Sequence, residues 1–212
     1  MAFKNDMNMM YATHDALRRD LAQVVAITQR PRDDPKHLLR TALGWEMFKS
    51  FLQVHHSAED DLLWPAMRRA LSGDSSAEAL LDAMEAEHAV IDPLLASIDG
   101  ALTDRDSGLG RLGELTDSLA SALRGHLGHE EVDVLPLIDA TVSEQEWSAF
   151  GAETGRRVGQ DIQRFFPWAL EDAKFEIRSA VLRVLPPPMA LAYRDLWQPA
   201  YAALPLWPQA DA

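Results

Sequence analysis

The chain carries seven histidines, His14, His37, His55, His56, His88, His126 and His129, and no cysteine. Neutral imidazoles and carboxylates converging on one point can hold a divalent or trivalent metal, and without sulfur no other strong donors are available. Two stretches carry such a pattern, HHSAEDDLLWP at 55–65 and HLGHEEVDVLP at 126–136. Both read His-x-x-x-Glu followed six residues later by Pro, and they lie 71 residues apart. His14 and His88 precede them by 41 and 38 residues. The chain thus reads as two helical hairpins, each giving one His from its first helix and His-x-x-x-Glu from its second.

Helical periodicity decides which of these groups face inward. The faces Phe48-Phe51-Leu52-His55-Glu59-Leu62 and Leu115-Leu119-Leu123-His126-Glu130-Val134 are apolar apart from the candidates. His88 falls among Leu81, Met84, Ile91 and Leu95, and His14 among Met7, Met10, Tyr11, Leu17 and Leu21. Residues four apart on a helix share a face, so His55 with Glu59 and His126 with Glu130 can reach a common centre. An unpaired buried carboxylate is costly, and a bound metal removes that cost. The expected ligands are His14, His55, Glu59, His88, His126 and Glu130. Six ligands on four helices are too many for one tetrahedral zinc and suit two ions bridged by Glu59 and Glu130. His56, whose face neighbours are Lys49, Gln53 and Asp60, reads as wet, and His37 as an exposed residue at a helix start. His129 with Asp133 and His56 with Asp60 form competing pairs on more polar faces.

The elements that must position these groups are four helical segments at about 5–29, 36–70, 76–102 and 109–135, separated by polar or Gly/Pro-containing breaks. No stretch alternates as a strand would. The expected fold class is all-α, an antiparallel up-down four-helix bundle over residues 1–140 with an additional C-terminal helical and proline-rich extension over 141–212. That extension is rich in aromatics but broken by Pro186-Pro187-Pro188, Pro199, Pro205 and Pro208, which suits packing on the bundle or on a second subunit, as in a homodimer. A ferritin-like di-iron bundle needs two Glu-x-x-His motifs, and only Glu85 with His88 supplies one.

Composition narrows the classes further. With 47% hydrophobic and 25% charged residues the chain has globular character, and its 212 residues suit one bundle and an appendage. Its net charge of -13 repels phosphate backbones and anionic lipid, which argues against nucleic acid or membrane partners. No apolar run reaches the roughly 18 residues of a membrane span, and the N-terminus lacks a signal-peptide core, so a cytoplasmic protein is expected.

The order H…HxxxE…H…HxxxE resembles the hemerythrin-like (HHE cation-binding) family over about residues 8–140, carried by His14, His55 and Glu59 in HHSAEDDLLWP, His88 in EAEHAVID, and His126 and Glu130 in HLGHEEVDVLP. The resemblance implies a non-heme di-iron centre, two iron ions rather than manganese or zinc, in a bundle that binds dioxygen or acts in iron, peroxide, nitric oxide or redox responses. Oxygen-carrying members have five histidines, two of them four apart on the third helix. Here the positions four either side of His88 are Met84 and Asp92, so the fifth imidazole is missing, which leaves an open or water-filled coordination position or a ligand from elsewhere. Three readings follow: a di-iron module that binds or senses dioxygen, peroxide or nitric oxide; a di-iron oxidase, oxygenase or peroxide-consuming enzyme whose extension shapes a pocket; and a metal-free helical scaffold.

Overall fold

The computed structural model describes residues 3–29, 34–104 and 109–208. Most of the breaks read at 30–35 and 103–108 lie outside these. The bundle is built from α1 (Asn8–Thr28), α3 (Leu43–Ala58) continued by α4 (Trp64–Ala70), α5 (Ser75–Thr103), and α6 (Leu109–His129) continued by α7 (Leu135–Thr141), with the short α2 (Pro35–Thr41) between the first two. No strand occurs among the described residues. The second predicted segment is therefore two helices with a break at Ala42, where an extended backbone (ψ 117°) ends α2. Asp74 caps α5 by accepting from the amides of Ser76 and Ala77, so SGDSS is a helix start as well as a connection.

The bundle interior is divided. One apolar core, including Leu17, Leu21, Phe48, Leu52, Ile91, Leu123 and Leu127, fills one end. A second, with Met10, Ala58, Trp64, Leu81, Met84 and Leu135, fills the other. The buried polar residues His14, His55, His56, Glu59, His88, His126 and Glu130 are placed between them.

Both His-x-x-x-Glu segments end in a local π-helical turn, Glu59–Leu63 and Glu130–Val134. The amide of Trp64 donates to Glu59 O and that of Leu135 to Glu130 O, five residues back. The cause is the proline one residue later. Pro65 and Pro136 have no N–H and their rings crowd the carbonyl four residues earlier, so the chain widens by one residue before resuming an α-helix. The same happens at Tyr193–Trp197, which precedes Pro199. Helix continues through both Pro65 and Pro136. Glu59 and Glu130 are each the first residue of a widened turn.

Beyond the bundle lie α8 (Glu144–Val158), α9 (Ile162–Leu170), α10 (Phe175–Val184), α11 (Pro187–Ala192) and α12 (Gln198–Ala202). A Ser143–Glu146 capping box starts α8. These helices pack on the outer side of α1 and α3. Phe51 of α3 meets Trp168 and Phe165 of α9 at ring-centroid distances of 4.8 and 5.2 Å. The Trp168 indole donates to buried Asp20 of α1 at 2.7 Å. The Tyr201 hydroxyl donates to Glu171 at 2.9 Å. The chain then returns to α3, where the amide of Gly44 donates to Leu206 O at 2.8 Å. Within the chain these contacts hold the extension against α1 and α3.

Candidate metal centre

The six residues expected as ligands all reach the buried layer, and they form two groups with one addition. His14, His55, Glu59 and Glu130 have donor atoms within 4.8 Å of one another, and so do His56, His88 and His126. His14 Nε2 lies 3.1 Å from His55 Nε2 and 3.1 Å from Glu130 Oε2. His55 Nδ1 is 3.2 Å from Glu59 Oε1. In the second group His88 Nε2 and His126 Nε2 are 3.1 Å apart, and Glu59 Oε2 is 3.7 Å from His88 Nε2. Glu59 thus touches both groups.

Three observations fit a bound metal. Both oxygens of Glu59, both oxygens of Glu130 and the Nε2 of His56 are buried without any hydrogen-bond partner. Orphaned buried polar atoms are rare, and here five of them fall within the two donor groups. The close contacts of the two glutamates lack hydrogen-bond direction, as expected of atoms aimed at a common centre rather than at each other. Finally, imidazole nitrogens bind first-row metals at about 2.1 Å, so two at a right angle are about 3 Å apart. Both imidazole pairs match that separation.

His56 is the residue the sequence reading missed. It is 1% exposed, not wet, because α5 covers it: its ring stacks on His88 at 3.9 Å and 12°, and its Nδ1 donates to Asp92 at 3.0 Å. A fifth imidazole, absent from the positions four either side of His88, thus reaches the buried layer from α3. The hydrophilic neighbours that suggested solvent are themselves occupied. Asp60 accepts from His88 Nδ1 at 2.8 Å, and Lys49 pairs with Asp99 at 2.7 Å. Asp92, exposed beside Pro93, accepts the bond from His56. His37 is exposed, as expected, and His129 is half-buried outside both groups.

An outer ring of carboxylates fixes four of the five imidazoles. Glu131 accepts from His14 Nδ1 at 2.9 Å, Asp92 from His56, Asp60 from His88, and Glu87 from His126 at 2.9 Å. Each such bond places the ring proton on Nδ1 and turns the Nε2 lone pair inward. Glu131 is held in turn by Arg18 at 2.7 Å, and Glu87 also accepts from His129 Nδ1 at 2.8 Å.

The electrostatics of the metal-free site follow from burial and these pairs. Burial pulls the His14 pKa down, but Glu130 and Glu131 outweigh it and hold it up at about 9. Burial, reinforced by neighbouring imidazole charge, keeps His55 and His56 well below the ordinary histidine value. Burial and the charge of Glu130 push Glu59 well up, whereas in Glu130 the charge of His14 beside it overrides burial and holds the carboxyl down at about 2. Without metal the site thus favours proton binding at His14 and at Glu59, the side on which a cation's charge would otherwise act.

The profile of the hemerythrin HHE cation binding domain family matches residues 5–138. The chain belongs to this family. It is also similar to two BRUTUS-like zinc finger proteins of Arabidopsis thaliana, 24% identical over 185 residues and 23% over 188, which covers 78% and 83% of this chain. The chain spans only 15% of the length of each of these relatives. No solved structure is significantly similar to it. The chain is thus an all-α, metal-binding protein of the hemerythrin HHE type. No helix among the described residues is long and apolar enough to cross a membrane.

Proposed function

We propose that the chain is a non-heme di-iron protein that binds or reacts with dioxygen, peroxide or nitric oxide. The observation that carries this reading is the pair of adjoining donor groups, His14-His55-Glu59-Glu130 and His56-His88-His126, with their five orphaned buried atoms. A set of nitrogen and oxygen donors without sulfur suits iron, with manganese and zinc as weaker fits. Glu59, which faces both groups, and Glu130 are the residues to bridge two ions. Iron bound there supplies redox chemistry toward small oxygen or nitrogen ligands. The chain's own part is to orient four of the five imidazoles through Glu131, Asp92, Asp60 and Glu87, and to keep bulk water out with an apolar core on either side.

Metal analysis of the aerobically purified protein tests this. Close to two irons per chain is the expected result, followed by a visible-absorbance change on adding dioxygen, hydrogen peroxide or nitric oxide to the reduced protein. No metal after anaerobic addition of ferrous iron sinks the reading and leaves a helical scaffold. A second reading, a di-iron oxidase or oxygenase, is favoured by one observation: a cavity walled by the extension reaches His55. Oxygen uptake dependent on an organic substrate would separate it from the first.

A further inference from the structure

The extension and the α1–α3 pair line a pocket of 170 Å³ that opens on one side to solvent. Met10, Phe51 and Val54 wall it from the bundle, and Trp147, Phe150 and Phe166 from α8 and α9. His55 completes the inner wall, and the Nε2 of that same ring lies 3.1 Å from His14 Nε2 in the metal centre. An apolar cavity of about 150 Å³ stays dry in water and takes up benzene or xenon.

Two glycines of α8 line the open side of this pocket. Gly151 and Gly155 lie four residues apart in the wall, in a helix interior where glycine is penalised against alanine. A glycine in a helix commonly lets a neighbour approach closely. Here a Cβ built at either position would meet nothing within 4 Å. Nothing is packed against them, so the room they leave stays free for a bound molecule.

The wall also defines what fits. Its hydroxyls are Thr13 and Thr154, and the Thr154 hydroxyl is already given to Phe150 O at 2.9 Å. Its carboxylate is Asp6, an exposed residue that repels anions. No lysine or arginine lines the cavity. We propose that this cavity is a binding site for one small neutral molecule of monocyclic aromatic size, held against the His55 side of the metal centre. Its placement beside a metal rests on the function proposed above; the binding itself does not.

The test is ¹⁹F NMR of fluorobenzene with the full chain, both metal-loaded and metal-stripped. Saturable binding at one site per chain is expected in both forms. Gly151→Leu, which fills the cavity, should weaken that binding at least tenfold while metal content and helical circular dichroism stay at wild-type levels. Should that variant fail to fold, Gly155→Met fills the same space with a more flexible side chain and carries the same expectation. The proposal is overturned if fluorobenzene does not saturate up to its solubility limit, or if a folded cavity-filling variant binds it as the wild type does. Binding to a chain that takes up no iron supports the pocket while removing the metal reading, and two irons with no binding does the reverse.

Discussion

His56 and His88 lie face to face, 3.9 Å between ring centroids and 12° from parallel, although one comes from α3 and the other from α5. Adjacent residues on a helix diverge by about 100°, so His55 and His56 cannot serve the same point. They face different neighbours, His55 toward His14 of α1 and His56 toward α5, and α3 thereby supplies both donor groups. His56→Ala is expected to lower metal content from about two ions per chain to about one, with the remaining ion in the group of His14. His55→Ala should spare the other group. Metal analysis of the two variants checks this, and a His56→Ala protein with full metal content and unchanged affinity would remove His56 from the ligand set.

Glu87 accepts from two histidines at once, His126 at 2.9 Å and His129 at 2.8 Å, without belonging to either donor group. It sets the orientation of His126 from outside. Glu87→Gln keeps the size but can no longer accept as a charged partner, and removal of such outer partners typically costs about 10–100-fold in metal affinity. Competition with a chelator at fixed pH measures the loss. His129→Ala removes only the outer histidine and should leave the affinity close to wild type.

The protons stored in the metal-free site have a signed consequence. His14 is raised from 6.5 to about 9, so its contribution to stability is complete below about pH 6.5 and is lost as the pH rises through about 9. Glu59, also raised, acts with the same sign. Glu131, held down at about 2 by His14 and Arg18 against its burial, contributes above its ordinary range and loses that contribution only in strong acid. The metal-free protein should therefore lose stability between pH 6.5 and 9.5, on the order of 3 kcal/mol for the His14 step. The metal-loaded protein should not, because there the ion replaces the protons. Melting temperature against pH for both forms checks the window, and loading at pH 7.5 should release protons into a weakly buffered solution. A flat metal-free profile would contradict the proton assignment.

Much of this was legible in the sequence because it depends on period and repeat. His14, His55, Glu59, His88, His126 and Glu130 lie on apolar stripes, and the 71-residue offset pairs the two halves. His56 was not legible for a definite reason: its helix-face neighbours Lys49 and Asp60 are polar, yet both are engaged with α5, one at Asp99 and the other at His88. Spacing along one helix cannot show which polar groups a second helix will occupy. A signal was present in the surplus of carboxylates, Asp60, Glu87, Asp92 and Glu131, near the histidines, since buried metal-binding imidazoles need outer acceptors. The π-helical turns were half legible, through the prolines alone. The docking of the extension was not, because its prolines interrupt any period that would mark an inward face.

The end of the extension is pinned by shape rather than by charge. The amide of Gly44 donates to Leu206 O at 2.8 Å, and a Cβ on Gly44 would fall inside the Trp207 indole, 2.6 Å from its Cζ2. Glycine is required there by close approach and not by backbone angle. Gly44→Ala should therefore cost about 1–3 kcal/mol by displacing Trp207, even though alanine is the better helix former. In a Trp207→Ala background the obstacle is gone, and the same substitution should be close to neutral. Urea unfolding of the two single variants and the double variant measures the coupling, expected at about 0.5–3 kcal/mol. Limited proteolysis adds a local readout, with cleavage after residue 200 expected to accelerate in Gly44→Ala while the bundle stays intact. Additive costs in the double variant would show that Trp207 does not rest on Gly44 in solution.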